Sequence, residues 1–366
     1  HGGYLPVRIK AVPEGKVVPI SNVLITMENT CPKCYWVTNY LETLISEIWY
    51  PITVATLSRA IKKLILTFLD KTGTPEDVEF KLNDFGFRGA TSAETAGIGG
   101  AAHLINFKGT DNIASITTIL DYYSPTNMPG FSIPASEHST ITSWGQEFEV
   151  NAFRNMIKQY GDHPIYACVS DSFDIYRACK EYWGKELRDE VMNAKGTLVI
   201  RPDSGIPHTV VIECLNILGK QFGFTINSKG YKLLCSKVRI IQGDGVDYDE
   251  IRRILTDMER EGWSADNIAF GMGGGLLQKD IHRDTQKFAF KCSSVVVNGE
   301  QRDVFKSPIT DSHKISKKGR LSLVIKDGVY KTLPDSNRPN DELKLVFEDG
   351  ELLKLTTFDN IRKIVN

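Results

Sequence analysis

The chain has 366 residues, 41% of them hydrophobic and 24% charged, with a formal net charge of −1. That is enough apolar material for two buried cores, and a balanced charge with no basic stripe argues against a nucleic-acid partner. No apolar run reaches the ~18 residues that cross a bilayer. His1-Gly2-Gly3-Tyr4 holds neither a start methionine nor a signal-peptide core, so the sequence reads as beginning partway through a longer protein.

In chain order, Val7–Lys10, Lys16–Pro19 and Val23–Thr26 read as short strands, with Pro13-Glu14-Gly15 turning between the first two. Apolar spacing turns helical from about Tyr35 to Leu69, and Pro51 is expected to divide that stretch into two helices. Seven cysteines are spread thinly, as in Tyr166-Ala167-Cys168-Val169 and Phe290-Lys291-Cys292-Ser293, and read as reduced, mostly buried thiols of a cytosolic protein. Cys31-Pro32-Lys33-Cys34 has the spacing of a zinc or redox pair. Lacking a second CxxC or a nearby His-x-x-x-His, it reads as an exposed loop pair.

The middle of the chain repeats one unit: a short apolar run, a polar or glycine-rich loop, then an amphipathic helix. Asp84, Asp111, His138, Asp171, Asp203, Asp244 and Gly274 mark successive loops at steps of 27, 27, 33, 32, 41 and 30 residues. Seven such units predict a parallel α/β barrel, with a doubly wound open sheet as the competitor. The barrel is favoured because nearly every polar residue follows a strand's carboxyl end, and in a barrel those ends meet at one mouth. Asp247 is placed to cap a helix from Tyr248, with Glu250 three residues on and an apolar stripe through Ile251, Ile254, Leu255 and Met258. Beyond about Arg283 strands return at 295–300, through a hairpin at Asp327-Gly328, and at 343–351, with a closing helix from Phe358 to Val365. The expected division is 1–75 and 286–366 as two parts of a discontinuous mixed β-sheet and helix domain, with 76–285 as the catalytic barrel.

A mouth lined by Arg88, His138 and Arg201, with Arg283 nearby in sequence, suits a polyanion, because each guanidinium offers a planar fork of donors to phosphate. Gly243 and Gly273-Gly274-Gly275 fall where barrels place phosphate sites, in the last two loops, and let backbone N–H groups approach. Asp203 and Asp244 can hold ribose hydroxyls or stabilise positive charge on a sugar carbon, though Asp203 in Arg-Pro-Asp-Ser-Gly also fits a simple turn. Asp171 can share that work or cap its helix. Asp111 can be an N-cap, and His138, beside Glu137, a cap or a core hydrogen bond.

These residues resemble the nicotinamide phosphoribosyltransferase family. The likeness runs through Asn83-Asp84-Phe85-Gly86-Phe87-Arg88-Gly89, Phe107-Lys108-Gly109-Thr110-Asp111, Ala135-Ser136-Glu137-His138-Ser139-Thr140 and Ile200-Arg201-Pro202-Asp203-Ser204-Gly205. It continues through Ile241-Gln242-Gly243-Asp244-Gly245 and Phe270–Lys279, and reaches both flanks. The resemblance implies an irregular parallel α/β barrel of the type II phosphoribosyltransferases beside a mixed sheet domain, in a cytoplasmic homodimer with its active site at the subunit interface. Nuclear or secreted forms remain open. It implies transfer of the 5-phosphoribosyl group from 5-phosphoribosyl 1-diphosphate to nicotinamide, giving nicotinamide mononucleotide and diphosphate for NAD salvage. Mg2+ would accompany the diphosphate, and ATP hydrolysis would be coupled through phosphorylation of His138.

By the same resemblance Phe85 stacks on the pyridine ring and Asp111 accepts from the carboxamide. Arg88, His138 and Arg201 contact diphosphate. Asp203, Gly243, Asp244 and Gly274 hold the ribose phosphate, and Arg283 its phosphate group. His138, Asp203 and Asp171 are the expected catalytic residues. Two departures stand out: family members carry an N-terminal segment ahead of His1, which supplies an aromatic cover for the neighbouring subunit's base, and Asn83 stands where some relatives have histidine. The alternatives are nicotinate phosphoribosyl transfer on the same barrel, or a truncated inactive or signalling form.

Overall fold

The computed structural model describes residues 1–366 except 312–313, 336–337 and 366. The chain forms two compact units. One comprises His1–Thr53, Tyr122–Thr126 and Ile281–Asn366, the other Val54–Asp121 and Asn127–Asp280.

In the first unit both flanks of the chain share one antiparallel sheet. The strand Val7–Ala11 pairs with Ile25–Asn29 on one side and with Lys344–Glu348 on the other, and Glu351–Leu352 extends the edge. Val7 is fully buried with Val37 and Leu41 of the helix Val37–Ser46, so strand and helix close a small core. Hairpins turn at Asn298-Gly299, Asp327-Gly328 and Asp349-Gly350, all six residues having positive φ, as the tight turns of two-residue hairpins require. Residues 16–19, expected as a strand, form none. Lys16 N–H closes a turn onto Pro13, and Val18 packs instead beside the Val23, Leu323 and Leu343 cluster.

The second unit is the barrel. Six parallel strands, Leu82–Asp84, Gly109–Thr110, Ile165–Val169, Thr197–Arg201, Val238–Gln242 and Ile268–Met272, line up in the order 109, 82, 268, 238, 197, 165 by first residue. The seventh member is irregular. Phe131 bonds to Lys108 and Thr110 at one open edge, and Pro134 and Ser136 bond to Ala167 at the other, which closes the ring. The open-sheet alternative is thereby excluded. Pro134 has no N–H to give, so this member makes isolated bridges rather than a ladder.

An interior layer of Ala167, Val199 and Ile241, with Ile133 and Ala269 beside it, fills the barrel, and Phe85 lies against it. Outside, the helix Pro207–Phe222 buries Val211, Cys214, Leu215 and Leu218, and Tyr248–Arg260 buries the expected Ile251, Ile254, Leu255 and Met258. Each such aliphatic side chain contributes roughly 1.5–3 kcal/mol. Asp247 accepts from Glu250 N–H at 2.9 Å, as its capping pattern predicts.

The helix Trp49–Thr72 starts two residues before Pro51, which therefore sits in the first turn, where a missing N–H is harmless. Its body is tied to the barrel: Ser58 meets His103, Asn106 donates to Ala55 O, and Lys229 donates to Leu69, Asp70 and Gly73 carbonyls. Among the cysteines Cys168, Cys179 and Cys214 are buried, but Cys292 is exposed, contrary to expectation, because it precedes the strand Ser294–Val297 in an irregular, solvent-facing stretch. No helix of the described residues is long and apolar enough to cross a membrane.

Candidate active site

The carboxyl ends of the barrel strands carry the polar groups singled out in the sequence. After Leu82–Asp84, Phe85 N–H continues the ladder by donating to Met272 O at 3.0 Å. Its ring lies over Gly271 and beside Gly243: a Cβ built on Gly271 would fall 1.9 Å from Phe85 Cε2, and one on Gly243 at 3.4 Å. Asp84 beneath it is fully buried, accepting from Gly86 N–H at 2.7 Å and Asn112 Nδ2 at 2.9 Å. Asp84 therefore shapes the loop that presents Phe85 and Arg88, the latter exposed on the turn Phe87–Gly89.

Asp111 follows the next strand. Thr110 Oγ1 takes the Asn112 N–H, and the helix begins only at Ile113, so Asp111's carboxylate is left to accept from the Ser132 hydroxyl. Enclosure in the mouth raises its carboxyl above the ordinary range, opposed by that hydrogen bond and by the charge of Arg201.

Asp171 is the hub of the opposite side. Its side chain is 4% exposed; Oδ1 accepts from His138 Nε2 at 2.9 Å, and Oδ2 accepts from Asp203 N–H at 3.0 Å and from the Ser204 hydroxyl. A carboxylate can only accept, so His138 Nε2 is the donor in this pair, and in the neutral imidazole that tautomer carries its lone pair on Nδ1. Nδ1 lies 3.8 Å from Asp203 Oδ2, and Arg201 Nη2 lies 3.8 Å from the same oxygen. Burial, with Asp171 and Asp244 nearby, raises the Asp203 carboxyl, while Arg201 and His138 hold it down. Arg201 is largely buried, and its Nε has no hydrogen-bond partner among the described residues, which suits it to an incoming anion.

Gln242 Nε2 donates to Asp244 O at 2.9 Å and sets the loop that carries Gly243 and the exposed Asp244. Gly274 starts the short helix Gly274–Leu277 with open space at its Cα. Arg283 belongs to the first unit, where its exposed guanidinium pairs with Asp284 at 2.9 Å. The barrel mouth thus gathers Phe85, Asp111, His138, Asp171, Arg201, Asp203 and Gly243.

A family model for nicotinate phosphoribosyltransferases (NAPRTase) matches residues 80–351. The chain belongs to this family. It is 50% identical over 373 residues to a nicotinamide phosphoribosyltransferase of Xanthomonas campestris, a match covering 99% of this chain and 79% of the relative. A nicotinamide phosphoribosyltransferase of Acinetobacter baylyi is 34% identical over 385 residues, with 99% and 76% covered. Among solved structures, a nicotinate-nucleotide pyrophosphorylase from Pyrococcus furiosus aligns with a TM-score of 0.67 at 17% identity, over 99% of this chain and 80% of that one. At that identity it supports the fold alone.

One buried carboxylate of the barrel unit escaped the sequence reading. Glu149 opens the helix Glu149–Tyr160 at 2% exposure, and its Oε1 has no hydrogen-bond partner among the described residues. Burial pushes its carboxyl up to about 7; Arg177 opposes this, and Asp174 and Asp171 add to it. The legible signal is its place on the apolar stripe with Ala152, Phe153 and Met156, at helical spacing. Because the folded value lies above the ordinary 4.5, the unfolded chain binds fewer protons between pH 4.5 and 7. Stability therefore falls as pH rises through that window and stays lower above it. Glu149→Gln is expected to be more stable than the parent at pH 8, by on the order of 1–2 kcal/mol, and equal to it near pH 4.5. Urea melts at the two pH values test this; a variant less stable at pH 8 would mean that the charged form is favourably paired.

Proposed function

We propose that the chain transfers the 5-phosphoribosyl group from 5-phosphoribosyl 1-diphosphate to nicotinamide, forming nicotinamide mononucleotide and diphosphate in NAD salvage. The observation that carries this reading is Asp111: an acceptor-only side chain at the mouth, held by the Ser132 hydroxyl. A carboxamide donates N–H to such a group, whereas nicotinate presents a like charge that it repels. The names of the relatives from Xanthomonas and Acinetobacter point the same way.

In this reading Phe85 stacks on the pyridine ring. Arg88, His138 and Arg201 bind diphosphate; Asp203, Gly243, Asp244 and Gly274 hold the ribose phosphate, with Arg283 on its phosphate group. The bond from C1 of the ribose to diphosphate breaks as the ring nitrogen brings its lone pair to C1. The nitrogen becomes a pyridinium, so no proton is transferred and no general base is needed. Positive charge developing on the sugar is met by Asp203 and Asp171, and the departing negative charge by the arginines. Asp203 and Asp244 carry the hard oxygens that would suit Mg2+, which would neutralise charge on the diphosphate. His138 Nδ1, which carries the lone pair of the neutral ring when Nε2 donates to Asp171, is the nucleophile for the γ-phosphoryl group of ATP, with ADP leaving. A second copy of the chain completes the site in a cytoplasmic homodimer.

The test is nucleotide formation from 5-phosphoribosyl 1-diphosphate, with nicotinamide and nicotinate offered separately, with and without ATP. Nicotinamide mononucleotide enhanced by ATP is the expected product. Turnover of nicotinate alone would overturn the base assignment, and no product from either would favour a binding role. Asp111→Asn is expected to lower kcat/KM for nicotinamide about 10- to 100-fold while relieving the exclusion of nicotinate. Steady-state kinetics with both bases check it, and unchanged values would remove Asp111 from the base site.

A further inference from the structure

We propose that His1, Cys31 and Cys34 form a binding site for a soft divalent transition-metal cation of the zinc type. Their ligand atoms all lie within 4.8 Å of one another, in the first unit of the chain. Cys34 Sγ is 3.8 Å from His1 Nδ1 and 3.9 Å from Nε2. Two ligands bound to one tetrahedral zinc at ordinary Zn–S and Zn–N lengths sit roughly 3.6 Å apart, so the observed spacing needs little adjustment.

The backbone prepares this arrangement from both sides. Cys31-Pro32-Lys33-Cys34 bends into the 3-10 turn Pro32–Cys34, closed by Cys34 N–H on Cys31 O at 3.0 Å, which turns both side chains toward one point. Asn29 Nδ2 donates to Cys31 O at 2.9 Å, and Thr30 N–H to Pro6 O at 2.9 Å, so the turn is tied beside the segment that leads back to His1. There Gly2 and Gly3 take φ of 60° and 95°, a left-handed path that side-chain-bearing residues avoid. The resulting turn, Tyr4 N–H on His1 O at 3.3 Å, folds His1 back with its ring edge-on to Tyr4 at 5.4 Å between centroids. The sequence hides this because the third ligand stands 30 residues ahead of the pair.

The chemistry of the donors agrees. Two thiols and an imidazole are a borderline-soft set that selects zinc-like ions over magnesium or calcium. A bound metal takes the cysteines as thiolates, so binding releases protons. Three protein ligands leave the fourth position to solvent. Cys34 also packs on the Val7, Val37 and Leu41 core, so the cation clips residues 1–4 onto that core.

The experiment is anaerobic Co2+ titration of the whole chain after reduction with a phosphine. One equivalent is expected to raise a thiolate-to-cobalt charge-transfer band and tetrahedral visible bands, both displaced by Zn2+. Cys31→Ser with Cys34→Ser should abolish them, and His1→Ala should weaken binding by at least about 10-fold while keeping the charge-transfer band. In the parent protein, Zn2+ should protect Cys31 and Cys34 selectively from alkylation, read by mass spectrometry, which does not depend on how any variant folds. Absence of cobalt bands in the reduced parent overturns the site, also where the pair is isolated as a disulfide. Bands that persist in the double cysteine variant, or protection of other cysteines instead, overturn it equally.

Discussion

His138→Ala is expected to erase ATP-dependent enhancement of nucleotide formation completely, while ATP-independent turnover falls only about 10-fold through loss of one diphosphate contact. The asymmetry follows from the geometry. His138 Nε2 donates to Asp171 Oδ1 at 2.9 Å, so in the neutral ring Nδ1 is the nucleophile His138 offers, and alanine removes it outright. Arg201 meanwhile remains beside Asp203 to receive an anion. Asp171→Asn separates positioning from nucleophilicity. The histidine is still present, but an amide can turn its NH2 toward the imidazole and no longer fixes the tautomer, so phosphorylation is expected to slow on the order of 10²- to 10³-fold. The two variants are compared by trapping the phosphorylated enzyme with labelled ATP at successive times. His138→Ala should trap none at any time, and Asp171→Asn should reach a normal plateau late. Full ATP coupling in His138→Ala would remove the phosphohistidine from the mechanism.

The barrel was legible because each strand is short, apolar and followed at once by a polar marker, a pattern that survives without knowledge of strand order. The irregular seventh member, 131–136, was legible for the same reason although it forms no ladder: His138 follows it as Asp171 follows Ile165–Val169. What failed were judgements that depend on a distant partner. Residues 16–19 have the valines of a strand, but the neighbour that Val7–Ala11 accepts is Ile25–Asn29, so they never pair. Cys31 and Cys34 looked incomplete because the glycine turn that returns His1 to them is a property of the fold. Glu149 stands in a helix's first turn, where a carboxylate is ordinarily favourable. Only its position on the buried stripe marks it as different. Among the site residues, the residue pattern left Asp171 open between sharing the work of Asp203 and Asp244 and capping its helix; the structure gives its two oxygens three donors, from His138, Asp203 and Ser204.

Gly271→Ala is expected to raise the nicotinamide KM about 10- to 100-fold, with the KM for 5-phosphoribosyl 1-diphosphate changed less than about threefold. The added methyl would overlap Phe85, at 1.9 Å from Cε2, 2.3 Å from Cδ2 and 2.7 Å from Cζ, and a packed strand of the ring cannot yield by that much. The aromatic ring must swing off the interior layer of Ala167, Val199 and Ile241, which removes the face offered to the pyridine and exposes apolar surface. Overpacking of this kind costs about 1–3 kcal/mol, visible as a lower melting temperature. A double-mutant cycle with Phe85→Leu isolates the cause. Leucine leaves room for the methyl, so Gly271→Ala should cost at least about 1 kcal/mol less stability in the Phe85→Leu background than in the parent. An equal penalty in both backgrounds would place the strain elsewhere in the strand. An unchanged nicotinamide KM in Gly271→Ala would show that the ring's seat over Gly271 does not position the base.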